Sequence, residues 1–298
     1  MKRREFLAGT AALGATLLST RGYAAVGPTD RVTLLHTNDT HSRLEPFEKG
    51  KLQGQGGIAR RAALIARIRR EQPHTLVLDA GDIFQGTPYY NAFGGCAEFE
   101  TMTAAGYDAV TLGNHDFDKG VDALVAAMAF ARFSFLNANF DIDDPGLRSR
   151  VVPSEVRVVG GRRIGLFGLG VSFKNLVSAA LHKGVRYRTP VPVARETVER
   201  LRRDEGVDAV VLISHLGYFG HDGEPGDVDL AEAVPGIDLI VGGHTHTFLE
   251  APHWVRPKTP QACAIVQVGS SGTHLGQVDL VFGPAGPRVV AQAHSVRG

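Results

Sequence analysis

Aspartate, asparagine and histidine, which are common ligands of transition metals, recur in short clusters along this chain. The clusters are Asp39-Thr40-His41, Gly81-Asp82, Gly113-Asn114-His115, Ser214-His215 and His244-Thr245-His246. In addition to His115, they offer two carboxylates, one amide oxygen and four imidazoles. This set is enough to bind two metal ions and to leave open positions for water and substrate. Mixed nitrogen and oxygen donors suit Mn, Zn, Fe or Co better than Ca or Mg.

Each cluster directly follows a short run that is rich in Val, Leu and Ile. The runs cover residues 32–36, 75–79, 108–112, 207–213 and 237–241. Such runs are typical of strands that are buried on both faces. Ligands bind outside the carboxyl ends of the strands in α/β sheets. We therefore expect five strand ends to bring the clusters together at one site.

Helical segments alternate with these strands, since apolar residues recur near the 3.6 period at 58–71, 97–105, 122–130 and 191–203. A further strand is predicted at 133–138, and hairpins at 150–170 and at 263–282 with a turn near 269–272. The arginines of segment 58–71, Arg61 among them, are expected on a solvated helix face. The pattern predicts one α/β domain, α+β by some schemes, with two packed sheets; two domains are the alternative.

The composition excludes several classes of protein. The chain has 298 residues, 43% hydrophobic and 21% charged, which argues against disorder and against a membrane bundle. A formal net charge of +1 gives no reason to expect a nucleic-acid polymer as partner. Cys96 and Cys263 are too few for a disulfide scaffold or a cysteine zinc site. Whether they pair with each other is open.

The first residues have the order of an export signal. Arg3 and Arg4 precede an apolar stretch at 6–18, and small residues follow around Ala24. The apolar stretch is too short for a membrane span, and the order resembles a twin-arginine signal. We expect residues 1–25 to be this signal, residues 26–298 to be the mature domain, and the location to be periplasmic or extracellular, with no stable membrane span after cleavage. An uncleaved N-terminal membrane anchor is the alternative.

Taken in order, the clusters resemble the motifs of the calcineurin-like metallophosphoesterase superfamily: Asp-x-His, Gly-Asp, Gly-Asn-His, His and Gly-His-x-His. Residues 35–42 (LHTNDTHS) and 113–118 (GNHDFD) are similar more narrowly to the catalytic domain of the 5′-nucleotidase branch. The resemblance covers about residues 31–282. It implies two packed mixed β-sheets flanked by helices, which form a four-layer sandwich.

The resemblance also implies a role for each residue. Asp39, His41 and His246 would bind one metal ion. Asn114, His215 and His244 would bind the other, with Asp82 bridging the two. His115 would face the phosphoryl group as transition-state stabiliser or general acid, with Asp118 orienting its imidazole. The implied reaction is in-line attack on phosphorus by a metal-bound hydroxide, with a nucleotide or a related small phosphate ester as substrate.

Two departures from the family pattern bear on the substrate. His246 stands where some nucleotidases have Gln, a change that is compatible with metal binding. The chain ends at Gly298 without the second domain that nucleotidases of this branch usually append, so we expect that a separately encoded specificity domain can take its place. The alternatives are a 2′,3′-cyclic nucleotide phosphodiesterase, a thiosulfohydrolase-like enzyme and a non-catalytic metal-binding subunit.

Overall fold

The computed structural model describes residues 29–256, 262–284 and 286–297. The signal predicted at residues 1–25 lies outside the described residues.

The strands are β1 Arg31–Thr37, β2 Thr75–Asp79, β3 Ala109–Thr111, β4 Ser134–Leu136, β5 Phe140–Ile142, β6 Val151–Val152, β7 Ser154–Val159, β8 Arg162–Gly170, β9 Val185–Tyr187, β10 Ala209–His215, β11 Leu239–Gly242, β12 His253–Val255, β13 Cys263–Val266, β14 His274–Gly283 and β15 Gly286–Ser295. The helices are α1 Ile58–Glu71, α2 Pro88–Phe93, α3 Cys96–Ala105, α4 Gly120–Met128, α5 Pro145–Arg148, α6 Pro190–Arg203 and α7 Asp227–Ala233, with a 3-10 turn at His115–Phe117.

Two mixed sheets form the centre of the fold. The first has the order β15-β14-β1-β2-β3-β4-β6, and the second has the order β12-β13-β11-β10-β8-β7. β1, β2, β3 and β4 run parallel to one another, as do β8, β10, β11 and β13. A short antiparallel ribbon of β5 and β9 is separate from both sheets.

Neighbouring residues of the central strands face different layers, because side chains alternate across a strand. Leu34 of β1 lies in the apolar cluster between the two sheets, whereas Leu35 packs with Phe99 of α3 on the outer face. On the second sheet, Leu212 of β10 packs outward against Leu201 of α6. The layers therefore run helix, sheet, sheet, helix, which confirms the predicted α/β class and the four-layer sandwich.

The arginines of α1 do not all lie on its solvated face. Arg61 shares the inward stripe with Ile58, Ile65 and Ile68, and it is only 1% exposed. Its guanidinium carbon lies 6.0 Å from the centre of the Tyr107 ring. The predicted solvated position of Arg61 is wrong because the helical period places residue 61 with the apolar residues that face the sheet.

One of the two predicted hairpins forms. β7 and β8 pair antiparallel around Gly160-Gly161, as predicted. The hairpin predicted over 263–282 is wrong, because β13 pairs with β11 and β12 in the second sheet while β14 pairs with β1 and β15 in the first. The segment between β13 and β14 therefore crosses from one sheet to the other.

Both cysteines are free thiols, with Cys263 buried in β13 and Cys96 partly buried at the start of α3. No helix within the three described ranges is long and apolar enough to cross a membrane.

Candidate metal centre

Five strand ends carry the predicted ligands to one place, as the sequence predicts. Asp39 and His41 follow β1, Asp82 follows β2, and Asn114 follows β3. His215 is the last residue of β10, while His244 and His246 follow β11. Backbone hydrogen bonds hold the loops against one another: Asp39 N donates to Gly81 O at 2.9 Å, and Ser271 N of the crossing segment donates to Asp39 O at 2.7 Å.

The backbone is strained at these loops. Five of the predicted ligands have a positive φ: Asp39 (48°), His41 (47°), Asp82 (53°), His244 (70°) and His246 (53°). The left-handed conformation costs about 1–2 kcal/mol for a residue with a side chain. Strain of this kind concentrates at sites where it holds functional groups in place.

The first group of donors consists of Asp39, His41 and His246, whose ligand atoms all lie within 4.8 Å of one another. Nε2 of His41 lies 2.9 Å from Nε2 of His246, and Nε2 of His246 lies 3.5 Å from Oδ1 of Asp39. Asp39 also accepts hydrogen bonds from Asn38 Nδ2 and from the backbone N–H of His244. The Asp39 carboxylate thus links the two ligand-bearing loops.

The second group consists of Asp82, His215 and His244, again within 4.8 Å of one another. Nε2 of His215 lies 3.2 Å from Oδ1 of Asp82, and Nδ1 of His215 donates to the carbonyl of Ala80 at 2.6 Å. That second bond holds a proton on Nδ1, so Nε2 would act as a ligand once a metal ion replaces the proton that it directs toward Asp82. Asn114 Oδ1 is buried and has no hydrogen-bond donor among the described residues.

Burial governs the electrostatics of both groups. It raises the pKa of Asp39 and lowers the pKa values of His41 and His246, and it lowers the pKa of His244 to about 4. Burial alone would raise the pKa of Asp82, but the charge and hydrogen bond of His215 outweigh it and lower the pKa. The three histidines with lowered pKa values are neutral at pH 7, which is the form that binds metals.

The donor set fits divalent metals. Two imidazole nitrogens 2.9 Å apart point toward each other, and an amide oxygen and two carboxylates are buried beside the imidazoles. The buried Oδ1 of Asn114 lacks a partner among the described residues, whereas a buried polar group normally has one. Mixed imidazole and carboxylate oxygen donors are typical of Zn, Mn, Fe and Co sites.

His115 and Asp118 form a separate pair at the edge of the centre. Nδ1 of His115 lies 2.9 Å from Oδ2 of Asp118, and the side chains are 35% and 29% exposed. The backbone N–H of His115 donates to Oδ1 of Asp82 at 2.8 Å. The ring centres of His115 and His41 are 5.5 Å apart. All nine predicted site residues therefore lie in or beside this one cluster.

Two buried carboxylates that sequence reasoning missed support the ligand loops. Asp116 accepts hydrogen bonds from the backbone N–H groups of Ile83, Phe84 and Gly113, and so joins the loops after β2 and β3. Asp227 of α7 accepts a hydrogen bond from the hydroxyl of Ser214, the residue that precedes His215. Asp116 lies within the quoted GNHDFD motif, so its position was visible in the sequence although its role was not.

A cavity of about 450 Å³ opens beside both groups of donors. Its lining includes His41, Asp82, Asn114, His115, His244 and His246 of the cluster, together with Arg43, Gln85, Gly86, Leu176 and Ser271. Five of the seven proposed ligands and His115 thus face one solvent-accessible space that is large enough for a small molecule.

Residues 32–248 match the sequence model of the calcineurin-like phosphoesterase family. A snake venom 5′-nucleotidase from Gloydius brevicauda is 32% identical over 285 residues, which cover 86% of this chain and 46% of the relative. The trifunctional nucleotide phosphoesterase protein YfkN of Bacillus subtilis is 30% identical over 86% of this chain and 18% of its own length.

Among solved structures, the 5′-nucleotidase precursor from Thermus thermophilus superposes with a TM-score of 0.81 at 35% identity, covering 89% of this chain and 54% of that one. The chain thus spans about half the length of each of these two 5′-nucleotidases. The family match and the gathered donor residues lead to one conclusion: this chain belongs to the calcineurin-like phosphoesterase family.

Proposed function

We propose that this chain hydrolyses nucleotides or closely related phosphate esters with two divalent metal ions bound in the cavity. The observation that carries the proposal is the presence of two adjacent donor groups, Asp39-His41-His246 and Asp82-His215-His244, beside one cavity. The 5′-nucleotidase and the nucleotide phosphoesterase that align with 86% of the chain support a nucleotide as substrate.

The proposed ligand roles follow the two groups. Asp39, His41 and His246 would hold one ion, while His215, His244 and the buried Oδ1 of Asn114 would hold the other. Asp82 belongs to the second group and its charge also acts on His41 of the first, so its carboxylate would be shared by the two ions. When bound, the ions would supply an activated water and neutralise charge on the phosphoryl oxygens.

The residues of the chain complete the site. Asp118 accepts a hydrogen bond from Nδ1 of His115, which fixes the imidazole and leaves its Nε2 to act on the substrate. At Nε2, His115 either donates a hydrogen bond to a phosphoryl oxygen or protonates the leaving oxygen. Both roles act on charge that develops in the transition state, so His115 contributes mainly to kcat.

A substrate panel tests this function. The purified chain is loaded with Mn or Zn and assayed with 5′-nucleotides, 2′,3′-cyclic nucleotides, an aryl phosphate and a thiosulfate ester. We expect turnover of 5′-nucleotides. Turnover of cyclic nucleotides alone, or of the thiosulfate ester alone, would favour one of the two enzyme alternatives. No turnover of any compound by protein that has bound both ions would contradict the enzymatic function.

The proposal includes export, with residues 26–298 as a single catalytic domain and a periplasmic or extracellular location. The support is the order of Arg3-Arg4, the apolar stretch and the small residues that follow. Cell fractionation of the wild-type chain and of an Arg3→Lys/Arg4→Lys variant tests it. We expect the wild-type chain outside the cytoplasm with a shortened N-terminus, and the variant retained inside. Equal retention of both chains would contradict export by this signal.

A further inference from the structure

Arg43 is a cation in the wall of the cavity that the proposed mechanism does not use. It follows His41 by two residues and lines the same space as Asn114, His115 and His246. Its backbone N–H donates to Thr40 O at 3.0 Å, so its position is tied to the first ligand loop. Neither the family motifs nor the proposed ligand roles account for an arginine at this place.

The guanidinium of Arg43 is oriented but has no acceptor among the described residues. Its central carbon lies 4.3 Å from the centre of the Phe47 ring, so an aromatic face holds one side of the guanidinium plane. No carboxylate of the described chain lies within 4.0 Å of it, and its Nε is buried without a hydrogen-bond partner. Donors that lie in the plane of a stacked guanidinium remain available to an anion.

The charges at the centre indicate which anion this is. While the attacking water still holds its protons, the charges of two divalent ions, the carboxylates of Asp39 and Asp82 and one phosphoryl dianion cancel one another. Arg43 then adds one positive charge to the same cavity. A planar guanidinium binds phosphate oxygens through two parallel hydrogen bonds. A substrate with one further negative charge next to its scissile phosphoryl group would therefore match the cavity.

We propose that Arg43 binds the anionic group adjoining the scissile phosphoryl group, so that it selects substrates in which a second phosphate follows the first. In a nucleoside diphosphate, the terminal phosphate would occupy the metal centre and the inner phosphate would contact Arg43. Water attacks the terminal phosphorus, the bond to the bridging oxygen breaks, and a monophosphate and inorganic phosphate leave. This inference rests on the proposed function and names a specificity-determining residue for it.

The test compares kcat/KM for a nucleoside 5′-diphosphate and the matching 5′-monophosphate. Arg43→Gln is expected to lower the preference for the diphosphate by about 10- to 100-fold, the loss typical of one charged hydrogen-bond partner. Arg70→Gln, which changes an exposed arginine of α1, is the matched control and should retain the wild-type preference. A preference in Arg43→Gln equal to or above that of the wild type overturns the inference.

A binding measurement keeps the two proposals separate. Calorimetry with methylenediphosphonate and with methylphosphonate, neither of which is hydrolysed at phosphorus, is run on the metal-loaded wild type and on Arg43→Lys. Lysine keeps the charge but not the planar pair of donors, so it should weaken binding of the diphosphonate more than binding of the monophosphonate. Equal effects on both ligands overturn the role of Arg43. No hydrolysis of any ester by the wild type would instead contradict the proposed function, and the calorimetry would still decide about Arg43.

Discussion

Nδ1 of His115 lies 2.9 Å from Oδ2 of Asp118, three residues further along the chain. His115 is the first residue of a 3-10 turn in the loop after β3, and Asp118 directly follows the turn. A carboxylate that accepts a hydrogen bond from Nδ1 of an imidazole fixes both the tautomer and the orientation of the ring. His115 is thereby held beside the metal centre without belonging to either group of donors.

Replacement of His115 by alanine should therefore lower kcat by about 100-fold or more while leaving the metal content unchanged. The backbone N–H that donates to Asp82 remains in the variant. Asp118→Asn should lower kcat less, by about 10-fold, because it only frees the imidazole to turn. Steady-state kinetics and metal analysis of both variants check this. Loss of metal from the His115→Ala variant, or full activity in it, would contradict the assigned role.

The backbone at Gly113 passes close to the side chains of two proposed ligands, Asp82 and His215. A Cβ on Gly113 would lie 2.2 Å from Oδ1 of Asp82 and 2.7 Å from Nε2 of His215. Gly113→Ala should therefore displace both side chains and weaken metal binding by at least about 10-fold, an effect comparable to the loss of a supporting residue. A metal titration measures the change.

Gly283→Ala is the matched control, because a Cβ there would meet no atom of the described residues nearer than 4.0 Å. It should bind metal as the wild type does. Wild-type metal affinity in Gly113→Ala would show that Asp82 and His215 do not need the observed spacing.

Asp227 should make stability depend on pH. Burial raises its pKa to about 7, although the hydrogen bond from Ser214 acts in the opposite direction. Between about pH 4 and pH 7 the folded chain therefore holds a proton on Asp227 that the unfolded chain has lost. The free energy of unfolding should fall as pH rises through this window. Asp227→Asn should remove this dependence and raise the free energy of unfolding near pH 8 by up to about 4 kcal/mol.

Urea unfolding of the metal-free wild type and of Asp227→Asn, at pH 4.5 and pH 8, measures this effect. Asp122→Asn, at an exposed position of α4, is the control and should follow the wild type. A stabilisation by Asp227→Asn that is the same at both pH values would contradict the raised pKa.

The two thiols should differ in reactivity. Burial raises the pKa of the Cys263 thiol, so its reactive thiolate is scarce even at mildly alkaline pH. Cys96 is only partly buried. A thiol reagent near pH 8 should modify at most one cysteine of the folded chain. After denaturation in the absence of a reductant, it should modify both cysteines. Finding no free thiol after denaturation would show that the two cysteines are bridged.

The sequence was sufficient to predict the central strands and the gathering of the ligands. Both follow from local features, namely the Val, Leu and Ile runs and the polar residues directly after them. The bounds predicted for β2 and α1, residues 75–79 and 58–71, agree with the observed ones. Within one sheet, residues that follow parallel strands meet because the strands end at the same edge. The meeting of the residues after β1, β2 and β3 with those of β10 and β11 also depends on how the two sheets pack.

Features that depend on contacts between distant segments were not predicted. The burial of Arg61 depends on Tyr107 and on the sheet beneath α1. The separation of β13 from β14 depends on which strands each one pairs with, and Val and Ile runs on either side of a glycine turn do not specify that. The bridging role of Asp116 and the place of Arg43 in the cavity wall also require loops from several strands to be together.

Anomalous diffraction from crystals of the Mn-loaded chain tests the central claim most directly. We predict two Mn peaks per chain, one coordinated by Asp39, His41 and His246 and the other by Asn114, His215 and His244, with Asp82 in contact with both. A single peak, or peaks away from these side chains, would contradict the account.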